Sequence, residues 1–99
     1  MTDFSEHLAR SARLIILRAL AAETSRTLNE VVLQAQLEAF GVNRARGYVR
    51  TQIRALADLD AVRVREAGSV MIAALTQTGL DHVEGRAEVD GVDRPAPGA

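Results

Sequence analysis

The hydrophobic period of this chain switches from helical to alternating near residue 60, and that switch constrains what it can fold into. Up to about residue 59, apolar side chains recur every three to four positions, which places them on one face of a helix. At Val62-Arg63-Val64-Arg65 the interval drops to two, the spacing of a half-buried strand. A length of 99 residues leaves room for one small domain, so both patterns must serve a single core. The 47% apolar content is enough for such a core, and with no cysteine in the chain packing alone must hold it.

The helical part divides into three. Phe4, Leu8, Ala12, Ile15 and Ala19 form the stripe of a first helix over 3–22, widened by Leu14, Leu17 and Leu20. Thr27-Leu28-Asn29-Glu30 has the form of a capping box and is expected to open a second helix over 28–39, with Leu28, Val31, Val32, Ala35 and Phe40 inward. Gly41 suits the left-handed residue that ends such a helix, and Val42 suits the apolar residue that folds back over it. Asn43 is the expected N-cap of a third helix over 44–59, with Ala45, Val49, Ile53, Leu56 and Leu59 inward.

After the strand at 62–65, Ala67-Gly68-Ser69 supplies a turn and residues 70–75 return as a second strand. Thr76 then caps a short fourth helix reaching about Arg86, with Leu80 and Val83 inward and Gly79 weakening it. Residues 88–99 are rich in Pro and Gly, lack an apolar period and are expected to be a disordered tail, leaving 1–87 as the domain. The second and third helices, joined by a short Gly turn, make a helix-turn-helix. A lone hairpin is not stable by itself and must pack on the helices as a wing. The expected fold is therefore mainly α with a small β-hairpin, an α+β winged helix-turn-helix in the order α-α-α-β-β-α.

Charge is segregated along this frame. The formal net charge is −1, so the chain as a whole is not a basic nucleic-acid coat. All twelve basic residues are Arg, which together with the many Ala residues points to a GC-rich genome. Between residues 44 and 65 six Arg face only Asp58 and Asp60, whereas residues 66–99 set Arg86 and Arg94 against six acids. On a wheel of about 100° per residue, Arg44, Arg50 and Arg54 point away from the apolar stripe of the third helix, and Arg46 lies at its flank.

Arginine pairs bidentately with guanine edges and with phosphate. The first half of a recognition helix is the part that meets bases. Asn43, Arg44, Arg46, Gly47, Tyr48, Arg50, Thr51, Arg54, Arg63 and Arg65 are the candidate DNA-binding residues. Arg46 and Arg50 are expected at base edges, and Arg44, Arg54, Arg63 and Arg65 at phosphates. Gly47 would admit the backbone closely, and Tyr48 and Thr51 would donate to phosphate. The turn at 67–69 carries no cation and Glu66 beside it repels phosphate, features that suit a protein-docking surface better than DNA.

The run from Ile53 through Leu56 and Leu59 to Val62 is similar to the L-x-x-L-x-x-x-G-L-V run of ArsR-like and MarR-like winged-helix regulators, with Asp60 where Gly is usual. Leu75-Thr76-Gln77-Thr78-Gly79 resembles the L-T-x-x-G that follows their wing. A fuller resemblance, over nearly the whole chain, is to small uncharacterised winged-helix proteins of Mu-like phages and prophages. It is carried by Arg13-Leu14-Ile15-Ile16-Leu17-Arg18, Thr27-Leu28-Asn29-Glu30, Leu37-Glu38-Ala39-Phe40-Gly41, Gly85-Arg86-Ala87 and Gly91-Val92-Asp93-Arg94-Pro95. These resemblances imply a phage origin and a winged helix.

Other chemistries find little support. No nucleophile elbow, phosphate loop or carboxylate constellation around a His is present, so no enzyme is expected. Asp81, His82 and Glu84 could offer metal ligands, but adjacent helix positions point apart, and no metal or other cofactor is expected. His7 and His82 are expected to be exposed or partly packed. Four apolar residues in a row, Leu14 to Leu17, either lie buried or help form a homodimer seam through the first and last helices. With no signal peptide and no membrane span expected, the chain is placed in the cytoplasm of a bacterial host cell. The functional expectation is a phage-related transcriptional regulator that reads double-stranded DNA with the helix over 44–59. The alternative is a protein-interaction module in phage packaging or assembly.

Overall fold

A computed structural model of the chain describes residues 3–96. The order is α1 (Phe4–Ala22), β1 (Thr27–Asn29), α2 (Glu30–Ala39), α3 (Arg46–Asp58), β2 (Val62–Ala67), β3 (Val70–Leu75) and α4 (Gln77–Val83). The fold is mixed α+β, with four helices and a three-stranded antiparallel sheet ordered β1-β3-β2. The expected order lacked β1. Thr27, Leu28 and Asn29 pair with Ala74, Ala73 and Ile72, so the hairpin is joined by a third strand from between α1 and α2.

That strand displaces the expected start of α2. The Thr27 hydroxyl donates to the Ser25 carbonyl instead of capping a helix. The cap is Asn29, whose Oδ1 accepts from the Val31 and Val32 amides at 2.9 and 3.0 Å. The inward face also differs. Glu30, Leu33 and Leu37 are buried, while Val31, Val32, Ala35 and Phe40 are exposed and Leu28 belongs to β1. Glu30, Leu33 and Leu37 follow helical spacing as well as the expected set does, and pairing of the Glu30 carboxylate decides between the two faces.

The helix ends follow their chemistry. Gly41, at φ +86°, closes α2 with the Val42 amide bonded to the Leu37 carbonyl, and Val42 is buried over the helix end. Asp60 does the same for α3 at φ +61°, with the Ala61 amide on the Leu56 carbonyl. The start of α3 lies two residues later than expected: Ala45 is the N-cap and makes no side-chain bond, and Asn43 is exposed outside the helix. The intervening chain is held by Gln34, whose amide donates to the Arg44 carbonyl at 3.0 Å. Ala45 is exposed and Leu59 half-buried, so the buried stripe of α3 is Val49, Gln52, Ile53 and Leu56.

Gly79 has a more specific role than weakening α4. A Cβ there would fall 2.3 Å from the Ala61 carbonyl oxygen, so glycine allows α4 to lie against the entry to β2. Thr76 caps the helix as expected, accepting from the Gly79 amide at 3.1 Å. The helix ends at Val83, and Leu80 and Val83 are only half-buried.

One core gathers Ile16, Leu17 and Leu20 of α1, Leu33 and Leu37 of α2, Val49, Ile53 and Leu56 of α3, and Met71 and Ala73 of β3. The segment expected to be a disordered tail contributes Val89 and Val92 to it, and the domain therefore extends past residue 87. His82 organises that segment. It is buried, its Nδ1 accepts from the Val89 amide at 2.9 Å, and its Nε2–H donates to the Asp93 carbonyl at 2.8 Å. Arg13 of α1 closes the clasp by donating from Nη1 to the Gly91 carbonyl and from Nε to Gln52. Two valines among polar residues show no period, which is why composition points the other way. Residues 97–99 of the expected tail lie outside the described residues. No helix among the described residues is long and apolar enough to cross a membrane.

Candidate functional site

The six Arg between residues 44 and 65 sit on α3, on the chain entering it and on β2, in two electrostatic states. Glu30, at the start of α2 and only 1% exposed, is the hub of the first state. Its Oε2 accepts from Arg50 Nη1 at 2.6 Å and from the Met71 amide, and its Oε1 lies 3.7 Å from Arg46 Nε. A carboxylate taken out of water requires such partners. Arg50 also donates through Nη2 to Glu66 Oε1 at 3.1 Å and reaches the Ser69 carbonyl at 3.4 Å. Its side chain is 24% exposed. Arg50 therefore ties α2, α3 and the β2–β3 turn together and does not stand free at a base edge, as the wheel alone suggested.

In the second state are Arg44, Arg54, Arg63 and Arg65. All four are exposed, and none makes an ion pair among the described residues. Arg44 lies over the Tyr48 ring, with Cζ 5.1 Å from the centroid, a cation–π contact that leaves its charge unneutralised. Arg63 and Arg65 alternate with Val62 and Val64 along β2, so they occupy the sheet face away from the core. Arg46 is intermediate, half-exposed yet close to Glu30.

The remaining candidates divide similarly. Gly47 is exposed and a Cβ there would meet nothing within 4 Å, so no packing inside the chain demands glycine at this position. The Thr51 hydroxyl donates back to the Gly47 carbonyl at 3.0 Å from an exposed position. Tyr48 does not offer its hydroxyl outward: Oη is buried, without a hydrogen-bond partner among the described residues. The structure thus brings Arg44, Arg46, Gly47, Thr51 and Arg54 together along α3 and its entry, and Arg63 and Arg65 along β2. Arg50 and the Tyr48 hydroxyl point inward.

Two functional participants escaped the sequence reading. Glu30 looked like the last residue of a capping box, and Glu66 looked like an isolated repulsive charge. The available signal was their number: two acids flanking a stretch with six Arg can serve as internal partners for some of them.

At the opposite end, charges are consumed locally. Arg86 meets Asp81 at 2.8 Å and also Glu84, Arg94 meets Glu88 at 3.1 Å, and Arg10 lies 3.6 Å from Asp93. Hydrogen bonds from Gln77 and Arg86 hold the Asp81 carboxyl below its ordinary pKa. Both ring nitrogens of His82 are engaged, so the suggested Asp81, His82 and Glu84 ligand set has no free imidazole. No group of three or more potential metal-ligating side chains occurs among the described residues.

No protein-family model matches the chain, and no solved structure matches it. Uncharacterized protein gp26 of Escherichia phage Mu is 42% identical over 92 residues, which cover 93% of this chain and 95% of that protein. At that identity and coverage, the chain belongs to the family of this phage Mu protein.

Proposed function

We propose that the chain is a winged helix-turn-helix protein that binds double-stranded DNA through α3 and β2, as a cytoplasmic regulator in the phage-infected or lysogenic bacterial cell. The observation that carries this reading is the set of exposed arginines, Arg44 and Arg54 beside and on α3 and Arg63 and Arg65 on the outer face of β2, without ion pairs among the described residues. Leaving several like charges unneutralised on adjoining elements opposes folding, and a polyanion relieves that repulsion.

The element order supports the winged form of this proposal, with β2 and β3 as the wing, α2 and α3 as the helix pair, and β1 as a third strand. The similarity of the segments 53–62 and 75–79 to ArsR-like and MarR-like regulators points the same way. Arg44 and Arg54 would hold phosphates at either end of α3, Arg63 and Arg65 would hold the flanking backbone, and Arg46 would approach base edges beside Gly47. Arg50 mainly sets the position of α3 from within.

Binding to duplexes of random sequence, measured across a salt series, tests the reading. Three to four phosphate contacts predict a fall in log affinity against log salt with a slope of about −3 to −4. A flat salt response, or no binding at low salt, would overturn it. The rival reading is a packaging or assembly module that docks on an acidic protein. It is favoured by Glu66, half-exposed at the end of the would-be wing. On that reading the same arginines would meet carboxylates.

A further inference from the structure

We propose that Glu66 stands in for a DNA phosphate at Arg50, so that duplex binding exchanges this one carboxylate for a phosphate and releases one of the two tethers on the β2–β3 turn; the inference rests on the DNA-binding reading above. The two carboxylates that share Arg50 are unlike. Glu30 is 1% exposed and holds Arg50 at 2.6 Å, whereas Glu66 is 55% exposed and holds it at 3.1 Å. Removing the cation from Glu30 would strand a buried charge, so that contact persists in any folded state. The Glu66 contact faces water and contributes little to stability, so an incoming anion can replace it at small cost.

The fork geometry of Arg50 allows this exchange. Nη1 serves Glu30 and Nη2 serves Glu66, so one nitrogen can change partner without disturbing the other. Glu66 is also well placed to occlude the site. It follows Arg65 on β2 but faces the opposite side of the sheet, toward α3, where Arg50 lies one turn before Arg54. A phosphate approaching Arg50 and Arg54 along α3 would meet the position the Glu66 carboxylate occupies.

The consequence for the wing follows from the third contact. Arg50 Nη1 also reaches the Ser69 carbonyl at 3.4 Å, so Arg50 fastens the β2–β3 turn through both Glu66 and Ser69. When Nη2 turns to phosphate, Glu66 loses its partner and the turn loses that tether. Glu66 thus competes with the DNA backbone for Arg50. It lowers affinity for any duplex and makes engagement of Arg50 conditional on a phosphate in the right place.

Fluorescence anisotropy with a random-sequence duplex at low salt tests this on the full chain. Glu66→Gln is expected to tighten binding about three- to tenfold and to steepen the log–log salt slope by roughly one. Asp58→Asn, which removes an exposed acid elsewhere on α3, measures the generic effect of one charge. The decisive comparison repeats Glu66→Gln in the Arg50→Lys background, where a single ammonium keeps Glu30 paired but cannot span both carboxylates. The Glu30→Gln/Arg50→Gln pair is a second, neutral background that leaves no stranded charge. In both, the gain should shrink to that of Asp58→Asn. No gain in the otherwise native chain, or a gain undiminished in both backgrounds, would overturn the role of Glu66 while leaving DNA binding intact. If the native chain and Glu66→Gln both fail to bind at low salt, the DNA-binding reading falls and the inference falls with it.

Discussion

Arg54 on α3 and Arg86 just beyond α4 are both exposed, and their surroundings differ in kind. Arg86 meets two carboxylates, Asp81 and Glu84, within its own turn of chain, whereas Arg54 makes no ion pair among the described residues. The same contrast holds for the regions around them. The clasp built from α4 and residues 84–93 neutralises Arg86, Arg94 and Arg10 internally and buries Val89, Val92 and His82. The α3–β2 face neutralises only the arginines that also hold the fold together. Abundance of arginine therefore does not by itself distinguish the two regions; whether a carboxylate meets it does.

The sharpest way to break this comparison is to remove a cation from the inner side of the α3–β2 face. Arg50→Ala leaves Glu30 buried without its closest partner and is expected to destabilise the domain by about 3–5 kcal/mol, measured by urea denaturation. Arg54→Ala is its control and should change stability by less than about 0.5 kcal/mol. Equal, small effects would mean that Arg50 is as free as Arg54 and that the division into two states is wrong.

The clasp is tested next. Val92→Ala removes packing from a position 2% exposed and should cost about 1–3 kcal/mol in the same assay. A neutral result would return residues 88–96 to the status of a loose tail. On the other side, Gly47→Ala fills no occupied space and replaces a glycine in the first turn of α3, so it should stabilise the fold by less than ~1 kcal/mol. If the backbone at Gly47 lies against DNA, the same variant should bind duplexes more weakly, separating stability from function at one position.

The smallest effect concerns Asp81. Its carboxyl is held below the ordinary value by hydrogen bonds from Gln77 and then from Arg86. A carboxyl with a depressed folded pKa stabilises the native state above its unfolded pKa and loses that contribution as pH falls through the folded value. Comparing native and Asp81→Asn melting curves should show the two converging as pH drops below about 4. Curves that stay parallel would remove Asp81 from the clasp.

Much of this fold is legible in the sequence because its signals are local. The extent of α1, the Gly41–Val42 stop, the alternation at 62–65 and the Thr76 cap each depend on residues within one turn or one strand. The expected stripe of α1, however, is not its buried face: Phe4 is 74% exposed, Leu8, Ile15 and Ala19 are half-buried, and Ala9 and Ile16 are buried with Ala12, Leu17 and Leu20. What escaped depends on distant partners. β1 exists because Ile72, Ala73 and Ala74 lie beside Thr27, Leu28 and Asn29, and a three-residue strand carries no period of its own. The buried face of α2 was misread because an acid looked like a surface residue, and only Arg46, Arg50 and the Met71 amide make its burial possible. The same omission placed Arg50 at the surface. For the candidate site, residue type and helix face located Arg44, Arg54, Arg63 and Arg65, while the carboxylates that sort them from Arg50 lie 16 and 20 residues away along the chain.

If the arginines left free on α3 and on the outer face of β2 bind a polyanion, the clasp should not respond to one. Backbone amide shifts of the labelled protein, followed as a random-sequence duplex is added at low salt, test it most directly. The account predicts shifts concentrated in residues 43–54 and 63–69, with residues 81–93 unmoved. Shifts centred on the clasp, or none anywhere, would contradict it.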